Sequence, residues 1–265
     1  MESKTFTNVA YITLAVILTV GLGFLISSRL KIQKEISAAE EAARLANIEL
    51  TLITPSDCEE CVSVDGMVEY IQKQTVNIVD KQNYSSNSKE GQNLIDQYKI
   101  TTLPAIIIAG EYNKNNVSDF FANLATKSNE DNLIWEMKSP VYYDLEKSAP
   151  VGLIEITYLT YSACSECYNP TVHRDILEKN FGAKIGNEIS VDYNDSEGRA
   201  LISKYNITQV PTIILSSDTA SYPRLSTAWQ TVGSIEEDGN YVFRKNEAMN
   251  EAVYYDLTTN SIITP

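Results

Sequence analysis

The chain has 265 residues, a formal net charge of −14 and a hydrophobic fraction of 43%. This length and composition suit about two globular domains with sizeable cores. The acidic balance argues against a nucleic-acid partner, because phosphates are bound by basic surfaces. The only histidine, His173, excludes a metal site built on two histidines and leaves one candidate base for a Ser-His-Asp site.

The first predicted element is a membrane-spanning helix. No charged residue occurs between Thr5 and Ser28, and Val9–Ile26 is almost wholly apolar. Such a run is long enough to cross a bilayer, which takes about 20 helical residues. A cleaved signal peptide, which usually has a shorter apolar region, is the alternative. We therefore predict that residues 1–29 form a single-pass anchor in the cell membrane.

The side of the membrane is ambiguous in the sequence. Arg29, Lys31 and Lys34 follow the apolar run, and the positive-inside bias would keep the remainder of the chain in the cytoplasm. Large domains are translocated largely regardless of this bias. We expect the soluble domains to be extracytoplasmic. Residues 30–46, rich in Ala, Glu and Lys with apolar residues at helical spacing, predict a helical stalk.

The rest of the chain repeats its own order of elements. Each copy begins with an alternating, strand-like run, Ile48–Ile53 or Leu153–Leu159, and continues with a cysteine pair, a helix, a second strand and a second helix. A proline and a β-branched run follow. We place the copies at 47–149 and 150–265, with the boundary where Ser148-Ala149-Pro150 breaks the pattern. The alternation predicts an α/β fold with two parallel first strands in each copy.

The four cysteines form two Cys-x-x-Cys pairs, Cys58 with Cys61 and Cys164 with Cys167. This spacing suits a reversible disulfide or half of a tetrahedral metal site. We expect each pair at the N-terminus of the following helix, where a thiolate is stabilised. The first cysteine of each pair would be the exposed nucleophile, and the second would resolve the mixed disulfide.

Two apolar-proline steps stand at matched positions, Leu103-Pro104 and Val210-Pro211. We predict cis bonds before both prolines, with each proline segment held close to its dithiol and the preceding residue offering backbone groups to an extended substrate. A trans proline at the start of an edge strand is the alternative. The tripeptide Tyr-Tyr-Asp also recurs, at 142–144 and 254–256, and we assign it to core packing and a turn.

Two further expectations concern the surroundings of the cysteines. Acidic Asp57, Glu59 and Glu60 surround the first pair, whereas the second has only Glu166. Like charge raises a thiol pKa, so we expect the second dithiol to be the stronger oxidant. We expect His173 to be exposed or to cap a helix, or alternatively to tune Cys164 through its cationic form.

The order strand, Cys-x-x-Cys, helix, strand, helix, apolar-Pro and strand resembles the thioredoxin fold. Two copies, from Asn47 to about Asp256, resemble the tandem-domain protein disulfide oxidoreductases, which are similar to protein disulfide isomerase. The resemblance implies disulfide exchange with protein thiols and disulfides through Cys58, Cys61, Cys164 and Cys167. It implies no cofactor and no metal, and it leaves the redox partner protein unidentified.

Departures from the family pattern keep two alternatives open. Leu52 and Tyr158 stand where thioredoxin has a buried aspartate, and a helix follows the proline strand where thioredoxin has a β-hairpin. One alternative is a binding or adaptor module that does not turn over. The other is an all-thiolate zinc or iron–sulfur site that uses all four cysteines.

Overall fold

The computed structural model describes residues 22, 25–129, 131–249 and 251–264. The predicted anchor therefore lies mostly outside the described residues. Within the described part, no helix combines the length and the apolar character needed to cross a bilayer. Helix α1 occupies residues 25–43, and the first strand begins at Ala46. A stalk at 30–46 stays a prediction.

Between residues 46 and 151, the described part of the chain forms eight strands and three helices. They are β1 (Ala46–Thr54), α2 (Asp65–Gln72), β2 (Val76–Ser85), α3 (Lys89–Tyr98), β3 (Thr102–Leu103), β4 (Ala105–Gly110), α4 (Ser118–Leu124), β5 (Lys127–Ser128), β6 (Leu133–Glu136), β7 (Tyr142–Asp144) and β8 (Ala149–Val151). Five strands form a sheet in the order β2-β1-β4-β6-β5, and three form a small sheet in the order β3-β7-β8.

The second half repeats this arrangement. Its elements are β9 (Leu153–Thr160), α5 (Val172–Phe181), β10 (Lys184–Asp192), α6 (Ser196–Tyr205), β11 (Gln209–Val210), β12 (Thr212–Leu215), α7 (Pro223–Val232), β13 (Gly233–Ile235), β14 (Tyr241–Phe243), β15 (Tyr254–Asp256) and β16 (Ser261–Ile263). Short 3-10 helices lie at Ser217–Ser221 and Asn246–Ala248. The sheets have the orders β10-β9-β12-β14-β13 and β11-β15-β16.

Strand directions agree with the sequence prediction of a mixed α/β fold. The first two strands of each half, β1 with β2 and β9 with β10, are parallel. The strand after each proline, β4 or β12, is antiparallel to its neighbours. Helices α4 and α7 separate these strands from β6 and β14, which confirms the predicted helix in place of a hairpin. The boundary predicted between residues 149 and 150 falls inside β8, and the division into two domains stays a prediction.

Apolar side chains cover both faces of each large sheet, since its interior strand β1 or β9 carries them on alternate sides. In β1, the side chains of Ile48, Leu50 and Leu52 pack with Phe121 of α4. Ile53 packs on the opposite face in a cluster that includes Leu103. The β9 strand divides in the same way between two clusters. Leu52 and Tyr158 are core residues with 3% and 2% exposure.

Glycine occupies the place where the second helix of each half crosses the end of a strand. A Cβ at Gly91 in α3 would overlap the carbonyl oxygen of Ser85, and a Cβ at Gly198 in α6 would overlap that of Asp192. The obstacle in both cases is backbone, which cannot rotate away as a side chain does. These glycines therefore set how closely the helix approaches its strand.

We expect Gly91→Ala to lower the free energy of unfolding by about 1–3 kcal/mol, because the helix must shift to admit the methyl group. The matched control is Gly66→Ala in α2, where a Cβ meets no atom within 4 Å. That change should be neutral or raise stability by about 0.5–1 kcal/mol, because alanine loses less backbone entropy on folding. Urea denaturation measures both, and equal losses in the two variants would contradict the close approach.

Candidate functional site

Each cysteine pair forms its own disulfide. Cys58 is bonded to Cys61 and Cys164 to Cys167, with a Cα–Cα distance of 5.4 Å in both. Each disulfide closes the loop that follows an interior strand of a large sheet, β1 or β9. Among the residues described, no group of three or more potential ligands is arranged to hold a metal ion.

The loops that carry the cysteines lie ahead of the helices and not at their N-termini. Helix α2 begins at Asp65, four positions after Cys61, and α5 begins at Val172, five positions after Cys167. The predicted position at the helix N-terminus is wrong. The reason is that the residue after each second cysteine first pairs with another strand segment: the Val62 N–H donates to the Val141 carbonyl, and the Tyr168 N–H donates to the Val253 carbonyl.

This placement changes the electrostatic argument for the thiols. The effect of a helix macrodipole falls off within the first turn. Stabilisation of the Cys58 and Cys164 thiolates by the following helix therefore does not follow from this geometry. The charges and hydrogen bonds of the loops themselves remain as the local influences on the sulfurs.

Exposure differs between the two pairs. Cys58 and Cys61 are both half-buried. Cys164 is only 7% exposed, whereas Cys167 is half-buried. The expectation that the first cysteine is the exposed one is thus wrong at the second site, where the Cys164 N–H bonds back to the Tyr161 carbonyl at 3.1 Å and holds this end of the turn close to β9. The assignment of nucleophilic and resolving roles stays a prediction.

The two apolar-proline steps are cis, as predicted. Leu103, Pro104, Val210 and Pro211 are all buried. The residue before each proline is already paired, because β3 is antiparallel to β7 and β11 is antiparallel to β15. A substrate-binding role for these four residues stays a prediction.

Sequence reasoning missed what the Tyr-Tyr-Asp segments do. The expected turn is present: the Asp144 carboxylate accepts from the Glu146 and Lys147 N–H groups, and Asp256 caps the matching turn. The tripeptides themselves are the strands β7 and β15, which lie directly beside the dithiol loops. Their recurrence at matched positions was the available signal, but it did not identify their partners.

A buried polar cluster ties the second dithiol loop to its proline. The Tyr168 hydroxyl lies 2.9 Å from Asn246 Oδ1, 3.2 Å from the Pro211 carbonyl and 3.1 Å from His173 Nε2. Asn246 Nδ2 also donates to the Pro211 carbonyl at 3.0 Å. Burial raises the pKa of Tyr168, so its hydroxyl stays protonated and donates. Val62 occupies the matching position in the first half and has no hydroxyl to offer.

His173 belongs to this cluster, and its position contradicts both expectations for this residue. The side chain is 5% exposed, so it neither faces solvent nor caps a helix. Burial lowers the pKa of His173 to about 4, because removing the ring from water disfavours its charged form. The ring is neutral near pH 7, and the proposal that a cationic His173 tunes Cys164 is wrong.

The low pKa of His173 predicts a loss of stability in acid. The unfolded histidine binds a proton below about pH 6.5, whereas the folded one binds it only near pH 4. Stability should therefore fall as the pH drops through this window, by about 3 kcal/mol. The control is His173→Gln, whose amide can reach Tyr168 and does not titrate. Urea denaturation from pH 7 to pH 4 should show a smaller loss in the variant, and parallel profiles would contradict the assignment.

The predicted order of redox potentials is not changed by the site geometry. Asp57, Glu59, Glu60 and Glu166 are all exposed, so their charges act on the loops through solvent. We expect Glu59→Gln/Glu60→Gln to raise the potential of the first dithiol by about 20 mV towards that of the second. Thiol–disulfide redox titration of each site, with the other site's cysteines changed to serine, measures both. A first site as oxidising as the second in the unmodified chain would overturn the order.

No protein-family model and no curated protein matches the chain. Among solved structures, it is similar to a protein disulfide oxidoreductase from Aeropyrum pernix, at 12% identity and a TM-score of 0.20, over 67% of this chain and 80% of that one. It is similar to the alkylhydroperoxide reductase AhpF of Enterococcus faecalis, at 10% identity and a TM-score of 0.21, over 70% of this chain and 89% of that one. It is also similar to ERdj5, at 9% identity and a TM-score of 0.19, over 70% of this chain and 27% of that one.

These alignments are too distant to carry an argument about mechanism. The chain's own features are more specific: a parallel strand pair joined by a helix, a Cys-x-x-Cys disulfide after the first of these strands, and a cis-proline before an antiparallel strand. The same set occurs a second time. The chain thus has a mixed α/β architecture in which each half carries a Cys-x-x-Cys disulfide and a cis-proline step.

Proposed function

We propose that the chain is a membrane-anchored oxidoreductase with two tandem thioredoxin-like domains, which exchanges disulfides with protein substrates through both dithiols. The observation that carries the proposal is the duplicated site. In each half a Cys-x-x-Cys disulfide and a cis-proline step are joined through one short strand. Such a pair of sulfurs can open and close without any other group in the molecule changing its covalent bonds.

The exchange reaction requires only the sulfur atoms of the protein and of its substrate. In the oxidised form, a substrate thiolate attacks one sulfur of the pair, so that the Cys–Cys bond breaks and a mixed disulfide forms. A second thiolate of the substrate then attacks the substrate sulfur of the mixed disulfide. The substrate is released with a new disulfide, and both sulfurs of the protein pair remain as thiols. Two electrons pass from the substrate to the protein, and the reverse steps reduce a substrate disulfide. A second dithiol or disulfide protein restores the starting state.

Anchoring is supported by the sequence of the first segment. The run from Val9 to Ile26 has a length suited to a bilayer, and Leu22, Leu25 and Ile26 are exposed where the structure describes them. The proposed location is the cell membrane, with the soluble part outside the cytoplasm. A compartment that permits disulfides would maintain the cysteine pairs in their oxidised form.

Thiol trapping in intact cells tests the proposal. Cells are quenched in acid, free thiols are alkylated with a mass-adding reagent, and each pair is read by mass spectrometry. We expect each pair to occupy both redox states and to shift when the cells are treated with a membrane-permeant reductant. Insulin reduction by the full chain provides the activity readout. Pairs that never change state, together with normal cellular function of the Cys58→Ser/Cys164→Ser variant, would favour the adaptor alternative.

A further inference from the structure

The Tyr-Tyr-Asp strands β7 and β15 occupy a specific place in each half. On one side, each strand pairs with the residue that precedes the cis-proline. Leu103 is opposite Tyr143, and Val210 is opposite Tyr255. The pairing continues past the strands, because the Leu145 N–H donates to the Thr101 carbonyl at 2.9 Å. The backbone groups beside each proline are therefore already used within the chain.

Along the same edge, the residue just before each strand is bound to the dithiol loop, while β8 or β16 occupies the opposite edge. The Val62 N–H donates to the Val141 carbonyl at 2.9 Å, and the Tyr168 N–H donates to the Val253 carbonyl at 2.9 Å. Val62 and Tyr168 are the residues directly after the second cysteines. Along one edge, each Tyr-Tyr-Asp segment thus contacts both the residue before the proline and the residue after the second cysteine, so an extended substrate that paired with β3 or β11 would have to take its place.

The second strand also packs on the dithiol loop through its side chains. The Tyr255 ring lies 4.8 Å from the Tyr161 ring, and Tyr161 lies 4.8 Å from Tyr193, measured between centroids. Tyr161 starts the turn that carries Cys164, since its carbonyl accepts from the Cys164 N–H. Tyr255 therefore holds the strand against the segment that leads into the disulfide.

The strands β7 and β15 are short and only partly buried. Each has three residues and pairs on its outer side with a strand of three residues, β8 or β16. All six tyrosine and aspartate side chains are half-buried, and Tyr142, Tyr143 and Tyr255 pack at the margins of the hydrophobic clusters. Short, partly exposed hairpins open locally at a small fraction of the free energy needed to unfold the whole protein.

We propose that each Tyr-Tyr-Asp strand is an internal occupant of the surface that receives an extended protein segment, so that a client strand binds by replacing it. The inference rests on the proposed exchange function and names the form of the substrate: an extended segment that adds to the edge of β3 or β11. The client makes main-chain hydrogen bonds there, and alternate side chains determine which clients fit. Small disulfides need no such edge and reach the sulfurs without release of the strand.

The test uses the second site alone, in the full chain with Cys58→Ser/Cys61→Ser. Tyr255→Ala removes the ring contact with Tyr161 and loosens the strand. Tyr254→Ala is the matched control, because neighbouring side chains in a strand point to opposite faces. The reduced protein is oxidised either by a linear ten-residue peptide carrying a glutathione mixed disulfide or by oxidised glutathione, and the second-order rate constants are compared.

We expect Tyr255→Ala to raise the rate constant with the peptide by about tenfold, because a larger fraction of the molecules has the β15 strand released and the β11 edge open to the peptide. The rate constant with oxidised glutathione should change less than about twofold, since that reaction does not use the edge. Tyr254→Ala should leave both rates close to those of the parent. Deletion of residues 253–265 is the second variant, and a synthetic peptide of residues 253–263 added in trans should inhibit its reaction with the client peptide.

Equal peptide rates in the parent and Tyr255→Ala, with normal oxidation by glutathione, would overturn the inference and leave the proposed function intact. A Tyr254→Ala rate as high as that of Tyr255→Ala would overturn it as well, because the effect would not depend on the contact with the dithiol loop. Absence of reaction with both disulfides in the parent would overturn the proposed function and this inference with it.

Discussion

Changing Cys58 and Cys164 together to serine is expected to lower the rate of insulin reduction by at least about 100-fold. The reason is chemical: with one sulfur of each pair absent, neither pair can form its disulfide, and the two-step transfer of electrons stops at the mixed disulfide. Each single variant keeps one complete pair, so Cys58→Ser and Cys164→Ser should each retain part of the activity. The fraction that each retains gives the share carried by each site.

The companion variant is Cys61→Ser/Cys167→Ser, which distinguishes the roles of the sulfurs. If Cys58 and Cys164 attack, this variant accumulates mixed disulfides with its substrate, which are visible on non-reducing gels. Because Cys164 is only 7% exposed, trapping at the second site through Cys167 in the Cys164→Ser variant is the result that would reverse the assignment there.

Loss of the disulfides has its own effect on stability, which needs a control. Closing a loop of this length contributes about 2 kcal/mol in the chain-entropy description. The serine variants should therefore be compared with the chemically reduced parent and not with the oxidised one. Equal urea midpoints for these two forms show that the loss of activity is not a loss of fold. Full activity of the double variant would contradict thiol exchange.

Tyr168→Phe is expected to lower the free energy of unfolding by about 2–4 kcal/mol, although it removes a single oxygen atom. The hydroxyl is shared by Asn246, His173 and the Pro211 carbonyl. The carbonyl keeps the Asn246 amide as a donor, but Asn246 Oδ1 and His173 Nε2 lose a partner inside the protein. A buried polar group without a partner costs about 1–3 kcal/mol, so two such groups account for the expected loss.

The matched control is Tyr193→Phe, which removes the same atom from a half-buried ring near the same loop and should change stability by less than about 0.5 kcal/mol. Tyr168→Phe should also slow exchange at the second site, measured with the first pair changed to serine. The first site, measured with the second pair changed to serine, should be unaffected. Equal slowing at both sites would show a global loss of structure and contradict a local positioning role for Tyr168.

Much of the fold could be predicted because it depends on local periodicity. The alternation of apolar residues in Ile48–Ile53 and Leu153–Leu159 identifies both runs as strands without knowledge of the elements that pack against them. The strands Leu133–Glu136 and Tyr241–Phe243 are likewise short apolar runs. The pairing of cysteines within each Cys-x-x-Cys follows from the short connection, which leaves each sulfur one close neighbour in sequence.

The errors concern residues whose surroundings come from distant parts of the chain. His173 looked like a surface residue because its own helix is polar, yet the fold encloses it with Tyr168 and Phe243. The helix after each dithiol was expected to begin at the cysteines, but the connection first turns aside to pair with Val141 or Val253. No local pattern contains these contacts.

The sequence by itself determined the duplicated order of strands and helices, the two cysteine pairs and the two proline steps, since each depends on residues a few positions apart. Only the tertiary structure decided what lies between a dithiol and its proline, which side chains are buried there, and where the helices begin. Those features depend on partners far away in the sequence, such as Tyr168 and Asn246, which are separated by 78 positions. The free energy of burying a polar group depends on whether the fold places a hydrogen-bond partner beside it. The local sequence does not contain that information.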